Sequence, residues 1–137
     1  MLFLDNLYTI TSQSPLSDDS VQYQIRLIPE SVIFGAHFPG EPIMPGACIV
    51  QLIQELFMHW RGCEVEIAKV NNLKFLSVIS PDAVLDLDVR IEVKKQDDAL
   101  THIKADITRG GVDYTKMSLL LHHACRKAPL AANSGNS

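Results

Sequence analysis

Between residues 37 and 55 the chain reads His37-Phe-Pro-Gly-Glu-Pro-Ile-Met-Pro-Gly46-Ala-Cys-Ile-Val-Gln51-Leu-Ile-Gln-Glu55. A lone histidine stands in a proline- and glycine-rich loop that leads straight into an apolar segment. Pro39, Pro42 and Pro45 fix φ, while Gly40 and Gly46 permit conformations closed to other residues, so the loop is locally rigid. A helix starting after it would offer unpaired backbone N–H groups beside the imidazole. A neutral imidazole can take a proton α to a carbonyl, and an N–H on the carbonyl oxygen makes that proton more acidic. One short segment can therefore supply both a base and an oxyanion site.

The elements that would hold this loop can be read from hydrophobic periodicity. Pro45 to Trp60 is apolar except for a thin stripe of Gln51, Gln54, Glu55 and His59, with Gly62 placed to end a helix. A helix so apolar is expected to be buried nearly all round. Leu7–Thr11 predicts a short first strand, closed by a turn-rich Ser12–Ser20. Val21, Tyr23, Ile25 and Leu27 alternate with polar residues, as a strand with one wet face does, and Pro29 ends it. Residues 35–46 read as loop throughout. Val65–Phe75 predicts strand broken by Asn71-Asn72, and Leu85 to Val93 is the cleanest amphipathic strand. Ile103, Ala105 and Ile107 predict another, and Arg109-Gly110-Gly111-Val112 a hairpin turn into Tyr114–His122. One helix and five or six antiparallel strands predict an α+β fold in which a curved sheet wraps the helix. Such a sheet leaves edges that a dimer would cover.

At 137 residues the chain is one domain, expected over residues 1–125, with a frayed tail over 126–137. With 47% apolar and 20% charged residues it is globular, and a net charge of −4 argues against nucleic-acid binding. No apolar run reaches the roughly 18 residues of a membrane span. Met1-Leu-Phe-Leu meets Asp5 at once and lacks a basic start, so no signal peptide is expected. Cys48, Cys63 and Cys125 are odd in number and widely spaced, which reads as reduced thiols in a cytoplasmic protein. His122 and His123 would point to opposite faces of a strand, so no metal site is expected there.

His37-Phe-Pro-Gly-x-Pro-x-Met-Pro-Gly46 resembles the motif of the β-hydroxyacyl-(acyl carrier protein) dehydratases, the FabA/FabZ family of hot-dog enzymes. Similarity continues more weakly in Leu73-Lys-Phe75 and in Pro81-Asp82, where the family usually has Pro-Gly-Asp. The resemblance implies a hot-dog fold and elimination of water from a 3-hydroxyacyl thioester on acyl carrier protein, without metal or organic cofactor. It further implies a homodimer, or a higher oligomer of dimers, with sites shared between subunits. By it His37 handles the α-proton and Gly46 offers its N–H to the thioester oxygen. Phe38, Ala47 and Glu55 are the further candidates to line the substrate site. A sharp bend between Ala36 and Gly40 is also implied, with a cis peptide as one form of it. Arg61, Lys69, Lys74 and Arg126 are candidate contacts for the acidic carrier protein.

The family's second catalytic residue is a Glu or Asp fourteen positions after the histidine, and here that residue is Gln51. An amide cannot give up a proton as a carboxylic acid does. Gln51 can orient the β-hydroxyl while His37 shuttles the proton. Glu55, one helical turn on, can replace the acid, as the family's Glu and Gln in swapped order. Alternatively the chain binds acyl groups or serves as a catalytically impaired partner subunit. Acyl thioester hydrolysis is a further alternative, since function follows the site and not the fold.

Overall fold

The structure, a computed structural model, describes residues 2–37, 40 and 42–123, and of Ala36 and His37 the backbone alone. Six strands and two helices follow one another as β1 Tyr8–Ser17, β2 Ser20–Leu27, α1 Val32–His37, α2 Gly46–Arg61, β3 Val65–Phe75, β4 Asp86–Gln96, β5 Leu100–Arg109 and β6 Val112–His123. The strands form one antiparallel sheet in the order β1-β2-β4-β5-β6-β3.

Alternation decides which face of the sheet is buried. Val21, Tyr23 and Ile25 of β2, Leu87, Val89 and Ile91 of β4, Ile103 and Ile107 of β5, and Leu119 and Leu121 of β6 all turn inward. They share one core with Ile49, Leu52, Ile53, Leu56 and Phe57 of α2. The opposite face is polar and carries exposed ion pairs such as Lys116–Asp106 at 3.7 Å, which contribute little to stability.

The hairpin between β5 and β6 turns on Gly110 and Gly111, with φ of 56° and 83°, the left-handed pair that a two-residue hairpin needs. Gly62 ends α2 in the left-handed region at φ 67°, its N–H donating to the Met58 carbonyl at 2.8 Å.

Four expectations need correction. β1 does not stop at Thr11 but runs through Pro15 to Ser17, reversing at Asp18-Asp19. As an edge strand it tolerates a proline whose missing N–H would break an interior ladder. β3 is not interrupted at Asn71-Asn72. It stays paired to β6 and absorbs the irregularity as a register shift between Val70 and Asn72. Residues 35–37 are not loop but the end of α1. That helix starts where Ser31 Oγ accepts the Ile33 N–H at 3.3 Å, and Phe34 is buried beneath it. Finally, α2 is not covered all round: Ala47, His59 and Arg61 are exposed and Val50, Gln51, Gln54, Met58 and Trp60 half-buried. Ala47, Val50, Gln51, Gln54 and Met58 recur at three- and four-residue spacing, so one stripe of the helix stays partly open in the protomer.

Candidate active site

Pro45 precedes α2 with φ −64° and ψ 149°, and no side chain caps the helix start. Cys48 and Ile49 close the first turn by donating to the Pro45 carbonyl at 3.0 and 3.1 Å. Gly46 and Ala47 come before these, where a helix has no internal acceptor to offer their N–H groups. The Phe75 ring covers Gly46 so closely that a Cβ there would lie 2.7 Å from its terminal carbon. Glycine at 46 thus lets β3 and the helix start approach each other. Met44 is anchored just upstream, its N–H donating to the Ile79 carbonyl at 2.9 Å. Cys48 is buried in this turn, and burial pushes its thiol pKa up.

His37 is the last residue of α1. Its imidazole, with Phe38, Pro39 and Glu41, lies outside the described residues, as do Cys125 and Arg126. The expected bend between Ala36 and Gly40 is therefore described only at its ends. Gly40 has φ 87°, and no peptide among the described residues is cis.

Glu55, expected to line the substrate site or to replace the acid, is engaged elsewhere. It is buried, and four donors converge on its carboxylate. Oε2 accepts from the Phe3 N–H at 2.7 Å and from Gln51 Nε2 at 2.7 Å. Oε1 accepts from the Leu4 N–H at 2.9 Å and from the Tyr8 hydroxyl at 3.1 Å. Burial, then the charge of Glu55, pushes the Tyr8 hydroxyl pKa far above its usual range, so Tyr8 remains a donor. The N-terminal turn is wound to present these groups. The Phe3 carbonyl takes the Asn6 and Leu7 N–H groups at 2.9 and 2.6 Å, and Asp5 adopts φ 67°. With each oxygen accepting twice, the carboxylate acts as a structural clasp between α2 and the chain start. The sequence carried no sign of the Phe3, Leu4 and Tyr8 partners, because two are main-chain groups some fifty residues away.

The remaining candidates are scattered. Arg61 stacks on Trp60 at 4.0 Å and donates to the Asp18 carbonyl at 3.1 Å, which pins the far end of α2. Lys69 and Lys74 stand exposed on β3. A groove of about 310 Å³ opens on the polar face of the sheet among Lys74, Arg90, Glu92, Lys104, Asp106 and Lys116, apart from the α2 start.

Residues 12–110 match the family model of the ApeI-like proteins, described as ApeI dehydratase. The chain belongs to the ApeI-like dehydratase family. Within this FabA/FabZ-like group it is similar to the 3-hydroxyacyl-(acyl carrier protein) dehydratase FabZ of Clostridium acetobutylicum, 32% identical over 66 residues that cover 43% of this chain and 47% of that protein. It is also similar to FabZ of Lactobacillus helveticus, 30% identical over 80 residues and 53% of each chain. The chain thus spans about half the length of the curated relatives it matches. Among solved structures it resembles the dehydratase heterocomplex ApeI:P from Xenorhabdus doucetiae, with TM-score 0.67, 16% identity, and 82% of this chain and 96% of that one covered. It also resembles a hypothetical thioesterase with coenzyme A from Streptococcus pneumoniae, with TM-score 0.61, 14% identity and 88% of each chain covered. These likenesses show the hot-dog fold shared by dehydratases and thioesterases. No helix among the described residues is long and apolar enough to cross a membrane.

Proposed function

We propose that this chain eliminates water from 3-hydroxyacyl thioesters borne on acyl carrier protein, giving trans-2-enoyl thioesters, as a cytoplasmic protein without metal or organic cofactor. The observation that carries the reading is the His37-to-Gly46 segment leading into the uncapped start of α2, within a chain of a dehydratase family. In this reading the sheet wraps α2 as the central helix. The Gly46 N–H polarises the thioester carbonyl, His37 removes the α-proton, and the C–O bond at the β-carbon breaks as the same imidazole returns that proton to the departing hydroxyl. Gln51 holds the hydroxyl. Phe38 and Ala47 line the entrance, and the acyl chain lies along the helix and the dimer seam.

The dimer is part of the proposal because the resemblance implies a site shared between His37 of one subunit and position 51 of the other. Its physical support is the half-open stripe of α2 and the end of the sheet at β3. There Val70 and Phe75 are 43% and 52% exposed, followed by Leu76 and Val78 at 49% and 61%. Multi-angle light scattering is expected to give a dimer, or a multiple of one, at micromolar concentration. A monomer would remove the shared site.

A second reading is favoured by one observation: the sole carboxylate of α2, Glu55, is clasped by four donors, so the helix presents no acid. The chain would then supply His37 to a mixed dimer whose other subunit carries the missing carboxylate. The solved dehydratase resembling it is itself a heterocomplex. The deciding experiment follows enoyl absorbance and free thiol with short and long 3-hydroxyacyl carrier-protein substrates. Enoyl product from the purified chain supports the first reading. No turnover until a second hot-dog subunit is added supports the mixed dimer, and thiol release without enoyl product points to hydrolysis.

A further inference from the structure

We infer that Glu55 is a positioning residue: it sets which atom of the Gln51 amide faces the substrate, and the N-terminal turn from Phe3 to Tyr8 holds Glu55 while it does so. The inference deepens the dehydratase reading and rests on it for its catalytic consequence alone. Its geometric basis stands independently. The two side chains are one helical turn apart on α2 and meet at 2.7 Å through Gln51 Nε2 and Glu55 Oε2. Phe3, Leu4 and Tyr8 already direct three donors at that carboxylate. An amide oxygen turned toward Glu55 would meet a carboxylate oxygen at the same 2.7 Å, acceptor against acceptor. The nitrogen must face Glu55, and the amide oxygen is carried to the other side of the group.

The orientation matters for the leaving group. A 3-hydroxyl that donates its hydrogen to Gln51 Oε1 keeps an oxygen lone pair for the proton arriving from His37. With the amide reversed, Nε2 would donate into the hydroxyl oxygen and compete with that proton. Swapping Glu and Gln between positions 51 and 55 thus exchanges an acid for a hydroxyl holder whose polarity the clasp enforces. It is a positioning device built from the Phe3–Tyr8 turn and one helix.

The experiment uses full-length protein with 15N-labelled glutamine side chains, the Gln51 amide being assigned by its loss in Gln51→Leu. One Nε2 proton is expected to be shifted downfield and slow to exchange. Glu55→Gln, which replaces the carboxylate by a neutral amide, should weaken that signature markedly. Tyr8→Phe, which removes one donor from Glu55 and leaves Gln51 untouched, should shift it measurably. In the dehydration assay Glu55→Gln should lower kcat on the order of tenfold with KM within about twofold, as a misaligned group does. The double variant Gln51→Glu/Glu55→Gln, which rebuilds the pair with its partners exchanged, should exceed Glu55→Gln in kcat. A Gln51 signal that ignores both Tyr8→Phe and Glu55→Gln in folded protein overturns the inference. The shifted signal in a chain that turns over no substrate, alone or with a second hot-dog subunit, overturns the dehydratase reading and leaves the positioning intact. If Glu55→Gln fails to fold, Tyr8→Phe alone decides.

Discussion

Replacing His37 with alanine is expected to lower dehydration of a 3-hydroxyacyl thioester by on the order of a hundredfold or more, as loss of a general base does. The size of the effect follows from the proposed economy of the site. If position 51 is an amide and Glu55 is clasped, one imidazole must both take the α-proton and return it to the hydroxyl. The other histidines have different settings. His59 sits near the far end of α2, about 20 Å from Gly46 at 1.5 Å per residue, with Nδ1 2.7 Å from the Tyr23 hydroxyl. Burial pushes the pKa of that hydroxyl up to about 12. His102 Nε2 meets Ser118 Oγ at 2.6 Å, and His123 Nε2 meets Thr101 Oγ1 at 3.0 Å, both at the sheet. His122 stands exposed on β6. Alanine at each of these four should leave turnover within a few-fold of the parent. Enoyl formation at the parent rate in His37→Ala would remove the proposed mechanism. A loss of similar size in His102→Ala would point to the sheet face instead.

Glu55→Leu is expected to destabilise the fold by about 3 kcal/mol, seen as a lower urea midpoint and as a drop in Tm on the order of 10 °C. The substitution keeps an apolar body of similar bulk, so cavity formation contributes little. What is lost is the acceptor shared by the Phe3 and Leu4 N–H groups, the Tyr8 hydroxyl and the Gln51 amide. A buried donor left without a partner costs about 1–3 kcal/mol. Four such donors would sum to more, but the N-terminal turn can peel away and let water reach its amides. Tyr8→Phe removes one donor and keeps the carboxylate, so a loss nearer 1 kcal/mol is expected. Equal stability of Glu55→Leu and the parent would mean that the clasp closes no more tightly than the water it excludes.

Where the reading of residues succeeded, the cause was local. β2 and β4 alternate apolar and polar residues over eight positions, and only one face of each can enter a core. The Gly110-Gly111 pair specifies its own hairpin through backbone freedom. The length and end of α2 follow from its apolar run and from Gly62. The family was legible because the His37–Gly46 segment combines prolines and glycines in an order that few other requirements would impose.

The tertiary structure decided matters that depend on distant main chain. β1 could run through Pro15 only because it lies at the sheet edge, and an edge position is a property of the whole topology. Asn71 and Asn72 read as a break, yet β3 stays paired because β6 keeps hydrogen-bonding on both sides of the shift. α1 is six residues long, too short for periodicity to register, and gains its anchor from Phe34 in the core. Glu55 shows the limit most clearly. By sequence alone it was a carboxylate beside Gln54 on a thin polar stripe, read as a charge satisfied near the helix side ahead of a replacement acid, with no partner named. Folding brought two backbone N–H groups and a tyrosine hydroxyl onto it from some fifty residues earlier in the chain. Backbone amides are the same in every residue but proline, so nothing in the letters at positions 3 and 4 could announce that they would bind it.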